Sequence, residues 1–119
     1  MPWRIDYYQT HLRKYPVYDF IEKLPEKSQT KIYHTFELLA EFGPQLKLPH
    51  IKKIINTPLW ELRVLGEKSL RFFYIAKVGK SFLFLHGFTK KSQKTPKKEI
   101  KTALNRLKDY QNKNKQQNK

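Results

Sequence analysis

Four absences narrow the possibilities before any pattern is considered. The 119-residue chain has no cysteine, which excludes a disulfide scaffold and every thiolate metal site. It has no run near the roughly 18 consecutive apolar residues of a membrane span, and its start, MPWRIDYYQTHLRKYP, lacks the apolar core of a signal peptide. The cytoplasm is the expected location, with no membrane partner. No GxSxG, P-loop or GxGxxG is present, so acyl transfer, nucleotide hydrolysis and dinucleotide chemistry lack a motif. Acidic residues are scarce: 10 Asp and Glu stand against 25 Lys and Arg, a net charge of +15. The imbalance is steepest from His86 onward, where 11 basic residues face 2 acidic ones. A polyanionic partner is the expectation, against the blander alternative of a solvated basic surface.

What is present reads as one folded domain. A hydrophobic share of 39% and aromatic share of 14% are enough for a core. Residues 1–110 are expected to form the domain, and 111–119, QNKNKQQNK, a disordered basic tail with nothing to bury. Trp3 to Tyr8 reads as a first strand. Val17, Phe20, Ile21 and Leu24 fall at helical spacing, as do Ile32, Phe36, Leu39 and Phe42, and Gly43-Pro44 stops the second pattern. From Trp60 the period becomes two. Strands are expected over Trp60 to Leu65, Leu70 to Val78 and Ser81 to Phe88, with turns at Gly66–Ser69 and Gly79-Lys80. A last amphipathic helix begins at Pro96, with Thr95 as its N-cap and Ile100, Ala103, Leu104, Leu107 and Tyr110 as its apolar stripe. The order β-α-α-β-β-β-α, with consecutive antiparallel strands, is an α+β fold: a small antiparallel sheet packed on a helical hairpin and a C-terminal helix.

The simplest hairpin registers place Arg63 opposite Arg71, Arg71 opposite Phe88, and Phe73 opposite His86. Arg63, Arg71, Phe73, His86, Phe88 and Lys90 then share one face, while Trp60, Leu62, Phe72 and Tyr74 take the face the helices cover. Two arginines directly opposite repel, by about 0.2–1 kcal/mol for a cross-strand pair. A phosphate between them reverses the sign; so does pairing with Glu61 or Glu67. Lys97 and Lys98 sit in the first turn of the last helix, where a cation is disfavoured unless an anion or solvent screens it. The four histidines have no metal-ligand spacing. Only His86 suits acid–base work, and its position in a strand favours a structural role over that one.

LWELRV (59–64), LRFFY (70–74) and LHGFTKKSQKTPKKEI (85–100) together resemble the RelE/ParE superfamily of toxins. More narrowly they are similar to its phage-derived, HigB-type branch, in which a strand ending LHGF.KK....P..EI is characteristic. The similarity spans residues 1–110. It implies a RelE-like fold and the toxin of a type II toxin–antitoxin pair. Such a toxin is a ribosome-dependent mRNA endoribonuclease that needs no metal or other cofactor and uses the RNA 2′-OH as nucleophile. It also implies a helix-turn-helix antitoxin partner, with the toxin a monomer or part of a toxin–antitoxin hetero-oligomer. By residue, Arg63 and Arg71 match basic positions of the family site, and Lys90 or Lys91 matches the basic residue after the last strand. Arg63 and Arg71 are then expected to hold the scissile phosphate, and Lys91 or Lys90 to assist the leaving group. Phe73, Phe88 and His86 are expected to offer a stacking surface, and Lys94, Lys97 and Lys98 further RNA contacts. Glu61 stands where RelE ribonucleases carry a lysine, and no tyrosine corresponds to their C-terminal one. The general base is therefore His86, Glu61 or none. Two other functions fit the residues: a ParE-like DNA gyrase inhibitor without nuclease activity, and a nucleic-acid-binding module without catalysis.

Overall fold

A computed structural model describes residues 2–117 apart from 48, 67, 68, 92, 93 and 95. The turn tip at Glu67-Lys68 and the expected N-cap Thr95 lie outside the described residues. The elements run β1 (Arg4–Tyr7), α1 (Pro16–Glu22), α2 (Glu26–Phe42), β2 (Ile51–Lys53), β3 (Trp60–Arg63), β4 (Leu70–Lys77), β5 (Ser81–Thr89) and α3 (Lys97–Gln117). Five strands form one sheet in the order β1-β5-β4-β3-β2. The α+β class stands, but the sheet is mixed: β1 pairs parallel with β5, and the other pairings are antiparallel. The edge strand β2 was not expected, because three residues are too few to show a period.

The helical hairpin covers one face. Val17 and Ile21 of α1 and Ile32, Phe36 and Leu39 of α2 pack on Leu62, Phe72, Tyr74, Phe82 and Phe84. Phe36 lies edge-on to Phe72 at 5.1 Å between ring centroids. Phe42, assigned to the same helix face, is instead 47% exposed. The chain passes close at Gly87, where a Cβ would come within 2.6 Å of Phe72 and 2.8 Å of Phe20. α1 can therefore approach β5 only over a residue without a side chain.

The other face is where the expected picture needs correcting. α3 packs here, not beside the hairpin. Ile100, Ala103, Leu104 and Leu107 cover Leu83, Leu85, Phe73 and Phe88. The physical reason is in the strands: Phe82-Leu83-Phe84-Leu85 is apolar at every position, so β5 is buried on both sides. α3 also continues through Gln117, into the segment expected to be a disordered tail. The extension is tied down, since Lys113 Nζ donates to the Gln9 carbonyl at 2.7 Å and lies 5.2 Å from the Tyr8 ring centroid. Tyr8 in turn donates its hydroxyl to Asp109.

The expected registers Arg63↔Arg71, Arg71↔Phe88 and Phe73↔His86 are all present. The last two arise from two offsets that cancel. The β4–β5 loop holds three residues, Val78–Lys80, because Lys77 pairs with Ser81; Gly79 and Lys80 take φ +91° and +56°. A bulge at Leu85, between the pairs Phe73↔His86 and Tyr74↔Phe84, then restores the register. An extra bulged residue leaves backbone groups unpaired. Here the Leu85 carbonyl accepts from Arg106 Nη1 of α3 at 2.9 Å.

Candidate nucleic-acid interface

β3 and β4 carry the central charges. Arg63 and Arg71 are cross-strand partners, both half-buried. Between them in chemistry, if not in sequence, stands Glu61. It is wholly buried, and its Oε2 accepts from Arg63 Nε at 3.4 Å. The carboxylate answers the repulsion anticipated for the two arginines, so their proximity alone does not demand a phosphate. It leaves one excess positive charge. Arg71 Nη1 donates to the Leu70 carbonyl at 3.0 Å, while its Nε is buried with no hydrogen-bond partner among the described residues. Burial is the main influence lowering the Arg71 pKa, opposed by Glu61 and reinforced by Arg63; a guanidinium still remains charged.

His86 has no free nitrogen. Arg106 Nη1 lies 3.1 Å from Nδ1, and Glu99 Oε1 lies 3.2 Å from Nε2. An arginine can only donate, so Nδ1 accepts and Nε2 carries the proton, donating to Glu99. That is the neutral tautomer, in keeping with a pKa lowered mainly by burial. His86 thus fastens β5 to α3 and leaves the set of candidate acid–base groups. Phe73 and Phe88 are corrected with it: at 0% and 4% exposure they belong to the core under α3 and offer no surface for a base. Glu61, sealed beneath Arg63, is no accessible base either.

The lysines separate. Lys90 and Lys94 line a cleft of about 360 Å³ together with Lys52 and Lys53 of β2. Ile54, Ile55 and Ile100 supply its apolar lining. Lys91, Lys97 and Lys98 are exposed and do not line it. Sequence reasoning missed Lys52 and Lys53, since three residues of β2 show no period and the stretch between Pro44 and Trp60 carries no assignment. It also missed Arg106, whose role depends on a bulge no periodicity reveals. Lys52 lies on the same face as the arginines because it pairs with Glu61, which pairs with Phe73. Lys53 is engaged, donating to the Thr57 carbonyl at 2.6 Å and lying 5.0 Å from the Trp60 ring centroid. Among the described residues, no group of three or more His, Asp or Glu could hold a metal ion, and no helix is long and apolar enough to cross a membrane.

A small mixed sheet with a helical hairpin on one face, and arginines and lysines gathered on the other, defines a compact α+β protein with a positively charged face. The chain matches the phage-derived Gp49-like protein family (DUF891) over residues 19–108 and belongs to that family. The family is a RelE/HigB-like toxin family, associated with the toxins of toxin–antitoxin pairs, and so implies an antitoxin partner. No curated protein matches the chain.

Proposed function

We propose that this chain is an mRNA endoribonuclease, the toxin of a type II toxin–antitoxin pair, acting on mRNA at the ribosome and cleaving it without a metal. The observation that carries the proposal is the Arg63–Arg71 pair, two cross-strand arginines with one buried carboxylate, that of Glu61, bonded to Arg63. The excess cation is placed for a phosphate, which guanidinium groups bind bidentately. In the reaction the RNA 2′-OH gives up its proton to solvent water as its oxygen attacks the adjacent phosphorus. The P–O5′ bond breaks, leaving a 2′,3′-cyclic phosphate on one fragment and a 5′-hydroxyl on the other. Arg63 and Arg71 stabilise the extra negative charge on the phosphoryl oxygens, the kind of fixed electrostatic contribution that dominates many active sites. Arg71 Nε, without a partner among the described residues, adds to this: an unsatisfied buried donor costs about 1–3 kcal/mol, and turning toward an incoming phosphate oxygen relieves it.

Lys90, at the edge of the cleft, is the cation nearest in sequence to the end of β5 and is assigned to the departing 5′-oxygen, supplying charge or a proton. With His86 and Glu61 both engaged, no strong general base remains at the site among the described residues. Orientation of the 2′-OH for in-line attack then falls to the surroundings of the RNA, which is the service a ribosome provides. Induced expression followed by primer extension on a reporter mRNA tests the proposal. New 3′ ends within the coding region are expected; intact transcripts alongside halted growth would sink it. Halted growth with a DNA-damage response would instead favour gyrase inhibition.

A further inference from the structure

The cleft between the β2–β3 hairpin and Lys90, Lys94 and Ile100 has two features that go together poorly without a ligand. Lys52 and Lys90 both line it, and neither ammonium has a hydrogen bond or ion pair among the described residues. Like charges brought to one concave site repel and are relieved by an anion. Beside them, Ile55 is 79% exposed at the hairpin, and Ile54 and Ile100 continue the apolar surface inside the cleft. Cations at the margin and a hydrocarbon floor match a nucleotide, which has a charged backbone and a flat, weakly polar base. The location fits as well. Lys52 faces Glu61 across β2 and β3 and lies diagonal to Arg63, a spacing of about 7–8 Å in a sheet. A strand with one phosphate at the arginine pair therefore has its neighbouring nucleotide at the cleft.

We infer that this cleft is a subsite for single-stranded RNA, holding the nucleotide next to the cleaved phosphate. Lys52 and Lys90 contact its backbone, and Ile55 contacts the face of its base. The inference deepens the RNA-cleavage proposal and rests on it for the direction of the strand. It also says that β2, the short edge strand, belongs to the binding surface and not only to the sheet.

The test is binding of a fluorescent single-stranded oligoribonucleotide to the full chain across a salt series. Four proteins are compared: wild type, Lys52→Ala, Ile55→Ser, and Lys27→Ala as a control. Lys27 is exposed on α2, on the opposite face of the sheet. Removing one phosphate contact should lower the slope of log affinity against log salt by about 0.7 for single strands. Lys52→Ala should show that drop and a several-fold loss of affinity. Ile55→Ser should weaken binding with the slope unchanged, and Lys27→Ala should do neither. Equal losses from Lys52→Ala and Lys27→Ala would overturn the subsite, as would unaltered RNA binding by Lys52→Ala and Ile55→Ser. Loss of a protein partner by Lys52→Glu, with RNA binding intact, would overturn it in favour of an acidic protein. Reporter cleavage in the same variants separates the two proposals. Lys52-dependent RNA binding by a wild type that cleaves nothing upholds the subsite and removes the nuclease. Cleavage with unaltered binding in Lys52→Ala upholds the nuclease and removes the subsite.

Discussion

The two faces of β3 and β4 are built from alternate residues of the same strands, yet they answer to different physics. On the hairpin side, Leu62, Phe72 and Tyr74 meet Val17, Ile21, Phe36 and Leu39 in an unbroken aromatic and aliphatic layer. On the other side, Glu61, Arg63 and Arg71 sit one residue away, with a single buried carboxylate serving two arginines. α3 divides this second face. It buries Phe73, Phe88 and most of His86 beneath its apolar stripe, while Arg63 keeps 29% of its side-chain surface exposed. One face is spent on stability alone; the other is shared between a second core and a charged site. Substitutions on the first should therefore cost folding, and those on the open part of the second should cost function.

The largest expected effect tests the first half of that contrast. Phe72 is wholly buried among Phe20, Phe36 and Phe84. Phe72→Ala should lose about 3–5 kcal/mol, read by urea unfolding. A loss below 1 kcal/mol would show that the hairpin face is not the main core. Next is Arg106, which satisfies both the bulged Leu85 carbonyl and His86 Nδ1. Arg106→Met should cost about 1–3 kcal/mol by leaving buried acceptors unpaired. A neutral result would mean that water replaces it and that the bulge needs no cap.

The effect of pH is smaller and has a definite sign. Burial lowers the His86 pKa in the folded state, while the unfolded value is near 6.5. The unfolded chain then binds the proton more readily, so this contribution to stability is complete above about pH 6.5 and is lost as pH falls toward the folded pKa. The melting temperature should decline between pH 6.5 and 5, and His86→Gln should flatten that part of the curve. An equal decline in the variant would assign the dependence elsewhere. Smallest in folding terms is Arg71→Ala, expected to change stability by about 1 kcal/mol or less, because the lost Leu70 contact is partly offset by removing a partnerless buried donor.

The strongest signals in the sequence were those of period and type. Alternation from Trp60 onward placed β3 and β4, and the stripe from Ile100 to Tyr110 placed α3. The Arg63–Arg71 pairing followed from a turn centred on 67. Elements set by distant contacts stayed hidden. The parallel partnership of β1 with β5 depends on a crossover that no local pattern specifies. β2 exists only because β3 is there to pair with it. The Phe73↔His86 pair came out right although the loop is one residue longer than assumed, since the bulge at Leu85 compensates. For the site, the arginines were legible as charge on an alternating strand. The burial of Phe73, Phe88 and His86 was signalled only by the apolar continuity of Phe82 to Leu85, whose meaning emerges once α3 lies across it.

The proposed role of the cross-strand arginines is on RNA and not on folding. Its most direct test is the rate of mRNA cleavage on programmed ribosomes by wild type and Arg71→Ala, at concentrations where both are folded by circular dichroism. Loss of one fixed donor to developing charge commonly costs about 10²–10³ in rate, and a loss of that size is the expected result. A folded Arg71→Ala that cleaves at the wild-type rate would contradict it.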